Sequence, residues 1–186
     1  MATYVNNLRL KEIATGDESG TWGTSTNTNL ELIGQGLGYG TKQMSADSNE
    51  TFTMADGGSD PTRAFYLKVT SAVSLTTTRT LTLAPNTISK MWIIENATSG
   101  AQSLSIKQGS GNEVTIATGK AVILYTDGAG ATGAVNDALQ FVDVGDGTVT
   151  SVGGTGTVNG LTLSGTVTSS GDLTLGGTLA NVDLAA

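Results

Sequence analysis

Apolar and polar residues alternate in short runs along most of this chain, the period of strands that bury one face and wet the other. Between about residue 46 and residue 145 the runs predict strands near Thr51 to Met54, Ala64 to Thr70, Arg79 to Leu83, Met91 to Asn96, Gln102 to Lys107, Glu113 to Ala117, Ala121 to Thr126 and Leu139 to Val144. Turn residues separate them, at Asp56-Gly57-Gly58, Pro85-Asn86, Ser99-Gly100, Gly109-Ser110-Gly111 and Asp127-Gly128. Short strands spaced about a dozen residues apart predict an all-β domain, an antiparallel β-sandwich or jelly roll. Its expected core is Phe65, Leu67, Val69, Leu81, Leu83, Trp92, Ile94, Ile106, Val114, Ile116, Val122, Leu124 and Phe141.

From residue 146 to residue 186 the alternation continues in a simpler alphabet. Leu161, Leu163, Gly165, Thr166 and Val167 recur twelve positions on as Leu173, Leu175, Gly177, Thr178 and Leu179, with Gly, Ser and Thr between them. This is a short internal repeat, each copy a brief strand closed by a glycine turn. One face is apolar and the other carries hydroxyls. So little apolar surface cannot cover itself, and more copies of the same chain are the simplest partner. Leu161, Leu163, Val167, Leu173, Leu175 and Leu179 are the expected contacts between copies.

Residues 1 to 45 read as an irregular arm with one short helix. Thr28 with Glu31 three residues on has the spacing of a capping box, and Leu30, Ile33 and Leu37 would share a face. Gly34, Gly36 and Gly38 each cost about 1 kcal/mol in a helix, so it is expected to end near Gly36. Trp22, Leu30, Ile33 and Leu37 are candidate anchors on a partner or on sister chains; the plainer alternative folds them back onto the β domain. The glycine run from Gly34 to Gly40 lacks the Lys-Ser/Thr pair and the preceding buried strand of a phosphate loop.

Composition narrows the chemistry. The 186 residues include no His and no Cys, which excludes a Ser-His-Asp triad, a Cys nucleophile, disulfides and imidazole or thiolate metal sites. A net charge of −7, with nine scattered Lys and Arg, argues against nucleic acid and anionic membranes as ligands. No apolar run approaches the ~20 residues that span a bilayer, and the first residues lack the pattern of a secretory signal. The expectation is a protein made in a cytoplasm and, if it works outside cells, released by lysis as part of a virion.

The order Leu10-Lys-Glu-Ile-x-Thr-Gly-Asp-Glu-x-Gly-Thr-Trp-Gly, then Thr26-Asn-x-Asn-Leu-x-Leu-Ile33, resembles the opening of tail-fibre-type proteins from tailed phages of marine bacteria. Ala64-Phe-Tyr-Leu, Thr80-Leu-Thr-Leu-Ala-Pro-Asn and Trp92-Ile-Ile-Glu-Asn-Ala-Thr resemble the β domain that follows in such proteins, and Gly156-Thr-Val-Asn-Gly-Leu-Thr-Leu-Ser-Gly their shaft repeat. The resemblance covers most of the chain and rests on structural rather than catalytic signatures. It implies a homotrimeric fibre in the phage tail. The N-terminal part would attach to tail proteins of the adaptor or nozzle kind, and the distal part would meet a host glycan or protein. Barely two repeats are present and no receptor-binding tip follows them, so the expected piece is the virion-proximal one, or a short adaptor.

Other residue groups carry less. Asp127-Gly-Ala-Gly and Asp143-Val-Gly-Asp146-Gly place carboxylates beside glycines as calcium loops do, but without the ligand spacing of an EF-hand or β-roll, and plain turns are the better reading. Asp17 and Glu18 make a poor general acid/base pair, and no pair of acids suited to glycan hydrolysis is located. Asn49-Glu50-Thr51 and Asn96-Ala97-Thr98 fit a glycosylation pattern that matters only on export. No enzyme activity, cofactor or metal is therefore expected. A carbohydrate-binding module or a head-fibre adaptor is the alternative to a tail fibre, and a tailspike hydrolase a third class; a glycan module would need exposed aromatics.

Overall fold

Through its first six strands the chain never pairs consecutive strands with one another. The computed structural model describes residues 3–140, 142, 151–158, 160–168 and 171–178, which fall into two compact units, Met1–Phe141 and Val142–Ala186. The first holds the helix α1 (Trp22–Leu37) and strands β1 (Tyr39–Met44), β2 (Glu50–Thr53), β3 (Tyr66–Ser71), β4 (Arg79–Ala84), β5 (Met91–Asn96), β6 (Leu104–Lys107), β7 (Val114–Ile116), β8 (Ala121–Thr126) and β9 (Val135–Asp137). One sheet runs β1-β3-β5-β8-β9 and the other β2-β4-β6-β7. From β1 to β6 the chain thus makes three circuits between the sheets in succession, leaving one strand in each per circuit. Tyr39 lies beside Tyr66 and Tyr66 beside Ile93, each 27 residues on.

The all-β reading holds, with one helix and mixed sheets, but the antiparallel pairing does not. β1, β3 and β5 are parallel, as are β2, β4 and β6; among the described strands of the first unit only β6–β7, β5–β8 and β8–β9 are antiparallel. The glycine and proline signals mark corners where the chain changes sheet rather than hairpins. Period-two alternation is the same in either arrangement, because it reports which face is buried and not which strand lies alongside.

Both sheets point apolar residues into one core. Leu67, Val69, Trp92, Ile94 and Leu124 come from the first sheet, and Phe52, Leu81, Leu83, Leu104, Ile106 and Ile116 from the second. Met44, Met54, Leu75, Ile88 and Val135 complete it. Three expected core positions are corrected: Val114 and Val122 are only partly buried at its margin, and Phe65 is 36% exposed. Phe141 lies outside the described residues. The start of the expected strand Leu139 to Val144 is also corrected, since residues 138–140 form a turn and β9 pairs with β8; Phe141, Asp143 and Val144 of that span lie outside the described residues.

The helix is longer than the capping box predicts. It starts at Trp22 and makes no side-chain cap bond at Thr21. Gly36 packs closely on the N-terminal segment: a Cβ there would come within 3.1 Å of Leu8 Cδ2, so the Leu8 side chain would have to give way by a few tenths of an ångström. Leu32 and Gly36 are its buried residues, and Gly36 lies against Leu8 and Arg63. Asn29 and Lys11 exchange two hydrogen bonds, Lys11 N to Asn29 Oδ1 at 3.0 Å and Asn29 Nδ2 to Lys11 O at 2.8 Å.

The second unit holds β10 (Val152–Gly153), β11 (Thr157–Val158), β12 (Leu161–Ser164), β13 (Thr166–Val167) and β14 (Thr174–Gly177). β12 pairs antiparallel with both β11 and β14, and β10 with β13. The repeat therefore pairs with itself, placing Leu163 directly opposite its own copy, Leu175.

Candidate functional site

Helix α1 carries two apolar faces. At 100° per residue, Trp22, Leu30, Ile33 and Leu37 fall within about 80° of arc, on a stripe beside the Leu32 and Gly36 face that packs inward. The four are exposed by 62%, 61%, 36% and 78%, and Tyr39, just past the helix, by 64%. Neighbouring large apolar side chains left in water on one element are the usual mark of a partner surface.

The repeat is similarly open. Leu163 is 37% and Leu175 64% exposed although they face each other across the ladder, while Leu161, Val167 and Leu173 are half-buried. Leu179 lies outside the described residues.

Within the first unit, the loop between β6 and β7 locks onto the loop between β8 and β9 mainly through backbone, with Gln108 Oε1 also accepting from Gly128 N at 3.2 Å. Gly109 N and Gly111 N donate to Gly133 O at 2.8 and 3.2 Å, Ser110 N to Ala131 O at 2.9 Å, and Val135 N to Asn112 O at 2.8 Å. Gly109 has to be glycine, since a Cβ would stand 2.5 Å from Gly133 N. Asp127 accepts from the backbone N–H groups of Ala134 and Ala129, and these bonds hold its carboxyl below the ordinary carboxylate range. Its oxygens serve the turn. Among the described residues no group of three or more His, Cys, Asp or Glu side chains gathers as a metal site, and no helix is long and apolar enough to cross a membrane.

Against these locked loops lies a polar groove with a cavity volume of about 720 Å³, bounded by Asn112, Glu113, Asn136 and Asp137. Sequence reasoning missed it. Its one local signal is the pair of neighbouring amide and acid residues, Asn112-Glu113 and Asn136-Asp137, which only the fold brings together.

Lys90 is the most displaced cation. Its ammonium sits 4.5 Å from the Trp92 ring and 5.8 Å from that of Phe65, and donates to the carbonyls of Ala64 and Met91 at 3.2 and 3.0 Å. No carboxylate pairs with it among the described residues, and burial lowers its pKa to about 8. Because the unfolded lysine keeps its proton up to the ordinary 10.5, stability rises as pH climbs from about 8 towards 10.5. Lys90→Met is expected to stabilise the fold by about 1–2 kcal/mol at pH 7, the gain shrinking across that window. Thermal melts of both proteins at several pH values check this; a gain that does not change with pH contradicts it.

Most other carboxylates of the first unit are committed to structure. Asp47 binds Arg79 and Thr76, bonds that hold its carboxyl well below the usual range. Burial pushes Asp60 upward, but the bonds it accepts from Thr62 and Lys42 together outweigh this and lower it. Comparison of the chain with protein-family models, with curated proteins and with solved structures found no match.

Proposed function

We propose that this chain is a structural virion component, the virion-proximal part of a homotrimeric phage tail fibre without enzymatic activity. The observation that carries the reading is the repeat: Leu163 and Leu175 stand opposite each other with 37% and 64% of their surface open, an apolar ladder that one chain leaves uncovered. Sister chains supply the missing cover, and the resemblance of the Gly-Thr-rich shaft sets their number at three. The stripe of Trp22, Leu30, Ile33 and Leu37 is the attachment surface for a tail protein of the adaptor or nozzle kind. Its mechanism is avidity, since three coupled chains present three such stripes and each binding event raises the effective concentration for the next. The shaft then projects towards a receptor on the host.

Gold-labelled antibody raised against the chain is expected to decorate the tails of purified virions from a lysate containing the protein. Labelling confined to capsids, or absent from every particle, overturns the reading.

A further inference from the structure

We infer that the groove between the β6–β7 loop and β9 is a binding site for a neutral oligosaccharide. Its polar groups are Lys107, Asn112, Glu113, Asn136, Asp137 and Gln140, with Val114 and Val135 the only large apolar side chains on its wall among the described residues. Much of that hydrogen-bonding capacity is unspent. Lys107, Glu113 and Gln140 make no side-chain hydrogen bond to another described residue, and Asp137 uses one oxygen, which accepts from Leu139 N at 2.8 Å. Asn112 Nδ2 reaches Asn136 Oδ1 at 3.3 Å, leaving the second amide N–H of Asn112 and the whole Asn136 amino group to donate.

Charge and shape select the ligand class. Two carboxylates against one ammonium disfavour phosphate, sulfate or uronic acid, and the near absence of apolar wall disfavours a lipid or aromatic ligand. Among the described residues too few carboxylates converge to hold a cation. A sugar hydroxyl both donates and accepts, so it suits a wall that mixes amide donors, carboxylate acceptors and one ammonium. The volume, about 720 Å³, falls within the range of ligand clefts, ~300–1,000 Å³.

The wall is also built in advance. Four backbone hydrogen bonds join residues 109–112 to residues 131–135, and a Cβ on Gly111 would meet Thr132 O at 2.6 Å, so the two loops touch main chain to main chain. Binding then costs little ordering of the loops. No ring lines the groove among the described residues, so hydrogen bonds replace the stacking that the sequence reading required of a glycan site. Single-site affinity is accordingly expected near ~1 mM. The groove lies wholly within residues 107–140, and its chemistry stands whether or not the repeat assembles.

The test is an amide-resonance titration of the full chain with neutral hexose and N-acetylhexosamine oligosaccharides of two to five units. Shifts at Gly111, Asn112, Asn136 and Asp137 that saturate are expected for at least one of them, with affinity lowered about fivefold by Glu113→Ala and again by Lys107→Ala. Both replaced side chains are free of described hydrogen bonds, so the fold is expected to persist. The assignment is overturned if no oligosaccharide moves these amides, if both variants bind as the native chain does, or if inorganic phosphate or calcium binds there more tightly than every sugar.

Discussion

Arg63→Ala is expected to destabilise the first unit by about 3–5 kcal/mol. The guanidinium is fully buried, yet no carboxylate among the described residues pairs with it. Its Nε donates to Leu8 O at 2.8 Å, Nη2 to Ala55 O at 2.6 Å, and Nη1 to Gly58 O at 2.7 Å and more weakly to Gln35 Oε1 at 3.4 Å. One side chain thus ties the arm, the helix and the segment after β2 together. Burial pushes its pKa down while the charges of Asp60 and Asp56 resist, as expected for a cation solvated by carbonyl dipoles rather than by a counter-ion. Truncation would strand three carbonyls at about 1–3 kcal/mol each before relaxation. Arg63→Lys should recover little, because an ammonium cannot span that fan of acceptors. Urea unfolding followed through the buried Trp92 measures the loss; a change below about 1 kcal/mol would contradict the role given to this residue.

The second large effect concerns assembly. Leu163→Asp combined with Leu175→Asp places two like charges opposite each other on the ladder, and three chains would bring six of them together. Burying such charges costs several kcal/mol each, more than a trimer of short repeats can absorb. The double variant is expected to be a monomer of 18.8 kDa that keeps the strands of the first unit, whose core draws only on residues 44–135. Ser164→Asp, on the neighbouring exposed position, is the control and should leave the assembly intact. A double variant with the mass of the native chain would sink the shaft assignment.

Much of the β architecture was legible and its pairing was not. β5 and β8 coincide with the predicted runs Met91–Asn96 and Ala121–Thr126, because Trp92, Ile94, Val122 and Leu124 alternate with residues that face outward. β1 was missed for the opposite reason: Tyr39–Met44 buries only Met44, and as an edge strand it owes its place to hydrogen bonds with β3 rather than to an apolar face. Nothing local in Thr41-Lys42-Gln43 states that its partner lies 27 residues away. The helix illustrates a related limit. Its glycines, of low helix propensity, argue for a short element, and nothing local states that Gly36 packs closely on Leu8 within a longer one.

The candidate sites divide along the same line. The stripe of Trp22, Leu30, Ile33 and Leu37 and the repeat leucines are periodic features that a one-dimensional pattern can carry. Arg63, Lys90 and the groove arise from loops converging across 20 to 55 residues of sequence, and no spacing rule foreshadows them.

If several copies of this chain assemble through the repeat, light scattering on the purified full-length protein gives a mass about three times 18.8 kDa. A well-folded protein that stays at 18.8 kDa across the micromolar range would contradict that assembly.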